Sequence, residues 1–144
     1  GRKGVRPGRT PTGDWDRAGM RLTRREFDRV VQRAYRRIPA EIRRRMDSVV
    51  LTVRRRPDPD MLRQMGYRPG EPLLGLFEGA SLAERSFFSP LSDRPDTIYI
   101  FQEPLEEMCR TTAELEREIE ITVVHEVAHF LGIGEERLEE LGYG

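Results

Sequence analysis

The chain has 144 residues, 35% of them charged, and its 25 basic and 25 acidic side chains leave no net charge at neutral pH. That length suits one hydrophobic core burying about two thirds of the extended surface, and it is too short to supply two such cores. No apolar run is long enough to span a bilayer, so no membrane role is expected, and the single Cys109 excludes an internal disulfide framework, which fits a reducing cytoplasm.

Residues 1–20 are rich in Gly, Pro, Thr and Arg and hold only Val5, Trp15 and Met20 as sizeable apolar groups. They read as a flexible basic arm with no apolar leader segment, ahead of a single domain over 21–144. Thr23 followed by Glu26 is a capping box, and Phe27, Val30, Val31, Ala34, Tyr35 and Ile38 recur at helical spacing until Pro39. A short helix over 40–47 should turn Ile42 and Met46 inward and its arginines outward. Val49 to Val53 is β-branched enough for a strand buried on both faces. Pro57-Asp58-Pro59-Asp60 opens a turn, with a helical turn expected over 61–65, and Leu73 to Glu78 reads as a second strand.

Residues 81–95 lack periodicity and carry Phe87-Phe88, so they read as a long loop with an aromatic anchor. Thr97 to Phe101 is a third strand, apolar on both faces. A short helix should follow Pro104, and Cys109 reads as a small core filler. Thr111 with Glu114 then caps a long helix. Leu115, Ile119, Val123, Val127 and Phe130 form one apolar row along it, and Ile121, Val124, Ala128 and Leu131 form another. The whole describes an α+β domain, a small mixed sheet of about three strands packed against helices.

The remaining edge of that long helix carries the chain's only two histidines, His125 and His129, inside the string HEVAHFLGIGE at 125–135. Residues four apart on a helix lie almost above one another, so both imidazoles can converge on one ion with Glu126 beside them. Two nitrogen ligands and a carboxylate able to take a proton from a zinc-activated water are what metal-assisted hydrolysis requires. Gly132 follows, a residue that tolerates the left-handed turn ending a helix and can fold Glu135 back as a third ligand. The ligand reading of Glu135 is preferred to one in which it simply opens a last helix at its positive dipole end, and Glu136, Glu139 and Glu140 are rival third ligands.

This string, with ERLEELG at 136–142, GLFEG at 75–79 and DTIYIF at 96–101, resembles a small bacterial family of predicted zinc metallopeptidases over about the second half of the chain. The resemblance implies a minimal zincin-like fold, His125 and His129 as ligands, Glu126 as general base, and an acid at Glu135 completing the site. It also implies that the second strand runs along the substrate groove, where an extended peptide could add as another strand. Larger relatives place a methionine turn after the motif, whereas no methionine follows Met108 here.

The expected activity is Zn²⁺-dependent hydrolysis of a peptide or protein substrate, with Glu126 accepting a proton from water and passing it to the leaving amine. Tyr143 is the nearest candidate in sequence for stabilising an oxyanion, with Tyr67 and Tyr99 open. Two other functions compete. Residues 1–56 hold 18 basic and 6 acidic side chains, a net of +12, and the remainder 7 and 19, a net of −12, so the first half could serve as a nucleic-acid footprint. The halves can also neutralise each other on folding, and no nucleic-acid motif is present. The third reading is a catalytically inactive zincin-like binding domain. The sequence is silent on oligomeric state.

Overall fold

Two threonine caps fix where the two long helices begin. In the computed structural model, which describes residues 20–68, 72–79 and 95–144, α1 spans Arg24–Arg37, and both halves of the Thr23–Glu26 capping box are formed. The longest helix carries the histidines. It runs over Thr112–Leu131 from an N-cap at Thr111, whose hydroxyl accepts the Glu114 amide at 3.1 Å. Between these helices come α2 (Ala40–Arg43) continuing as a 3₁₀ turn (Arg44–Met46), then β1 (Val49–Arg54) and α3 (Pro59–Gln64), capped by the Asp58 side chain. Next are β2 (Gly75–Glu78), β3 (Asp96–Phe101) and α4 (Gln102–Glu107). The long helix is therefore α5, and α6 (Glu135–Glu140) follows it.

The architecture is α+β. The sheet order is β1-β3-β2, with β1 parallel and β2 antiparallel to the central β3. α5 lies against β2 and β3, and α1 packs along α5. The main core joins Phe27, Val30 and Ala34 of α1 to Leu115, Ile119, Val123 and Val127 of α5 and to Ile98 and Ile100 of β3. β3 also faces a smaller cluster on its other side, where Phe101 meets Leu73 and Leu76 beneath Met61 and Leu62 of α3. This two-sided burial is why the strand is apolar on both faces.

Three expectations need correcting. Among the described residues β1 is an edge strand, with Val50 44% exposed, so its β-branched run reflects strand propensity and not burial on both faces. α4 starts at Gln102, two residues before Pro104, because a proline is tolerated in the first turn, where amides have no intrahelical partner. Phe130 does not continue the buried row of α5; it is 45% exposed. By contrast Ile42, Met46 and Cys109 are buried as expected. The basic arm, apart from Met20, and the loop with Phe87-Phe88 lie outside the described residues.

Gly132 closes α5 in the left-handed conformation, with φ of 73°, and the Ile133 amide returns to the Ala128 carbonyl at 2.9 Å. An added Cβ would meet nothing within 4 Å, so the penalty for a side chain is purely conformational. Gly132→Ala is expected to cost about 1 kcal/mol, read as a lowered midpoint in urea with unchanged slope.

Candidate functional site

α5 presents His125, Glu126 and His129 where its buried stripe ends. Val123, Val124, Val127 and Ala128 are buried, the two histidines are exposed one turn apart, and Glu126 between them is half-buried. The helix thus holds both imidazoles on a rigid, packed element.

The wall beside Glu126 is β2, and it comes close because position 75 has no side chain. A Cβ on Gly75 would sit 2.5 Å from Thr122 Cγ2 and 3.9 Å from Glu126 Cγ. With this approach the Phe77 amide donates to Glu126 Oε1 at 2.9 Å. Burial pushes the Glu126 carboxyl above its ordinary range, partly opposed by the Phe77 amide and the two histidines. A carboxylate so placed has a raised proton affinity, as a general base near neutral pH needs. The Phe77 ring stacks on Phe130 with centroids 4.3 Å apart, an aromatic pair flanking the histidine helix.

His125 Nε2 lies 3.0 Å from the main-chain carbonyl of Tyr143. The Tyr143 side chain does something other than expected. It is buried, 6% exposed, and its hydroxyl donates to the buried carboxylate of Glu120. Burial and that carboxylate push the phenol up. An oxyanion role for this hydroxyl is therefore a poor fit, since it is committed inside the core while only the backbone of Tyr143 reaches His125. The other two candidate tyrosines are also engaged: Tyr99 donates to Glu78 at 3.1 Å, and Tyr67 packs on the Leu73, Leu76 and Phe101 cluster.

Glu135 opens α6 and is exposed, as are Glu136, Glu139 and Glu140. Among the described residues no three His, Cys, Asp or Glu side chains are gathered closely enough to hold a metal. The structure places His125, Glu126 and His129 along one edge of α5, with the Tyr143 carbonyl against His125, and does not gather Glu135 with the two histidines into a metal-holding set. Two exposed imidazoles are by chemistry suited to two of the four coordination positions of one zinc ion, and the acids of α6 are the nearest source of a third in sequence.

Sequence reasoning missed Glu120, which is 3% exposed and meets Arg37 Nε at 2.8 Å and Arg117 at 3.4 Å. The signal was there: on the helical period Glu120 shares a face with Val124 and Val127, so an acid stood in an apolar row. The charge asymmetry also has a structural outlet. Arg33 and Arg37 pair with Glu116, Arg37 with Glu120, Arg55 and Arg56 with Glu103, and Arg137 with Glu41, all across the two halves. No helix among the described residues is long and apolar enough to cross a membrane.

No curated protein matches the chain. A solved structure, a conserved hypothetical protein from Thermo thermophilus, shares the fold at a TM-score of 0.54 and 22% identity, covering 82% of this chain and 98% of that one. A family described as zincin-like metallopeptidase matches residues 46–144, a stretch that includes β1 to β3, the histidine helix and the tail that meets it. With well over half of its length matched, the chain belongs to the zincin-like metallopeptidase family.

Proposed function

We propose that the protein is a zinc-dependent metallopeptidase acting on peptide or protein substrates. The observation that carries this reading is the pair of exposed imidazoles one helical turn apart, flanking a half-buried carboxylate anchored to the neighbouring strand. His125 and His129 would hold the metal, and Glu135 is the proposed third donor. When bound, zinc supplies Lewis acidity that polarises a carbonyl and makes water a stronger acid.

The chain's own residues supply the proton transfer and the orientation. The Phe77 amide holds Glu126 Oε1, which leaves Oε2 to take the proton of the attacking water and return it to the leaving amine. Among the described residues β2 is an edge strand, so an extended peptide can pair with it and lie across Glu126.

Elemental analysis of protein purified without added metal, followed by a broad peptide-library digest, tests the reading. Zinc near one equivalent together with cleavage is expected. Neither zinc nor cleavage would overturn it in favour of an inactive binding domain, and salt-sensitive retention on nucleic acid without metal would replace it with the polyanion-binding alternative.

A further inference from the structure

Charge on α1 is sorted by face. A helix advances about 100° per residue, so Arg25, Arg29, Gln32 and Arg36 fall within about 60° of one another, opposite the Phe27, Val30, Val31 and Ala34 that bury against α5. The arginines that reach α5 are matched: Arg33 meets Glu116, and Arg37 meets Glu116 and Glu120. Those on the outer ridge are not. Among the described residues Arg25, Arg29 and Arg36 are exposed and enter no ion pair, and the same holds for Arg44 and Arg45 in the 3₁₀ turn that follows. The three acids between positions 24 and 46 are committed elsewhere, Glu26 to the Thr23 amide, Asp28 to Arg24 and Glu41 to Arg137. Folding does not ask for the ridge. Arg25 sits in the first turn, at the positive end of the helix dipole, and Arg25 and Arg29 are like charges one turn apart, placements that both disfavour the helix.

We propose that this outer ridge of α1 is a docking surface for the phosphodiester backbone of a nucleic acid, bound without regard to base sequence. The surface is independent of the metallopeptidase reading. Guanidinium groups pair with phosphate oxygens through two parallel hydrogen bonds. From Arg25 to Arg36 the ridge runs about 16 Å, a length over which duplex DNA carries about ten phosphates. Gln32 adds a neutral donor for the same oxygens. A lipid surface fits less well, because a helix lying in a membrane interface needs a free apolar face and that of α1 is buried on α5. An acidic protein fits less well too. Protein interfaces centre on apolar and aromatic anchors, and none of the exposed large hydrophobic residues belongs to α1.

The test follows the anisotropy of a labelled DNA duplex, and of a labelled single-stranded RNA, as the full chain is added at about 50 and about 200 mM salt. A dissociation constant of about 10⁻⁵ M or tighter at the lower salt is expected for at least one probe. On the duplex, three ridge contacts by themselves weaken binding about fortyfold between the two salt concentrations. Arg25→Gln with Arg29→Gln is expected to lower the slope of log affinity against log salt by about two, and Arg36→Gln by about one more. Arg63→Glu removes the same two units of charge from α3, across the sheet, and is expected to leave the slope unchanged. Thermal unfolding should show the ridge variants at least as stable as wild type, since they relieve repulsion and keep a good helix former. No binding to either probe at the lower salt overturns the proposal, as does an equal loss in Arg63→Glu, which would mean net charge alone. Binding to phosphatidylserine vesicles or to polyglutamate as tight as to either nucleic acid overturns it as well. Zinc content, measured on the same samples, is expected to be the same in wild type and ridge variants. Absence of zinc from wild type would sink the proposed function and leave the ridge standing, whereas loss of nucleic-acid binding with zinc retained is the outcome expected of the ridge variants.

Discussion

Glu126→Gln is expected to keep the metal and lose turnover by about 10²- to 10⁴-fold, the range that general acid–base catalysis contributes. Glutamine matches the carboxylate in shape and keeps an oxygen that can accept the Phe77 amide, so β2 should stay where it is. What disappears is the ability to take and return a proton. His129→Ala is a different lesion: it removes one of only two imidazoles in the chain and should abolish zinc binding together with activity. Elemental analysis beside single-turnover cleavage separates the two. If both variants bound zinc stoichiometrically, the ligand assignment would fail; if Glu126→Gln still turned over normally, the base assignment would fail.

The second large effect concerns the core that holds α5 in place. Phe27→Ala is expected to cost about 3–5 kcal/mol, because the side chain is fully buried where α1 meets α5 and its removal leaves a cavity that neighbours fill only partly. Against a total stability of about 5–15 kcal/mol, that is a large share. Thermal unfolding should fall by roughly 10–15 °C for a domain of this size. A shift under about 2 °C would mean that the α1–α5 contact contributes little, contrary to its burial.

Local chemistry was readable from the residues wherever its cause lies within a few positions. Thr23 with Glu26 and Thr111 with Glu114 announced helix starts that the structure forms, and Gly132 announced an end. The histidine helix emerged from its own periodicity, including the edge on which His125 and His129 sit. Contacts between distant positions were not readable. Nothing around Gly75 says that its missing methyl lets β2 reach Glu126, 51 positions later, because that spacing is set by how strand and helix pack. The parallel pairing of β1 with β3 depends likewise on a crossover, and so the edge position of β1 was misjudged. Tyr143 was close to the histidines in sequence and is indeed beside them, but Glu120 decides that its backbone and not its hydroxyl faces them.

The cross-half ion pairs and the α1–α5 core bear on where this domain begins as a folding unit. The stretch that matches the family starts at residue 46, after α1 and α2. Cut there, the remaining segment would hold 10 basic against 20 acidic residues and would bare the face of α5 that Phe27, Val30 and Ala34 now cover. Glu116 and Glu120 would lose Arg33 and Arg37, the cations that α1 brings to them. What marks this protein as kin lies in the last two thirds, while a share of the core that covers its histidine helix is contributed from upstream.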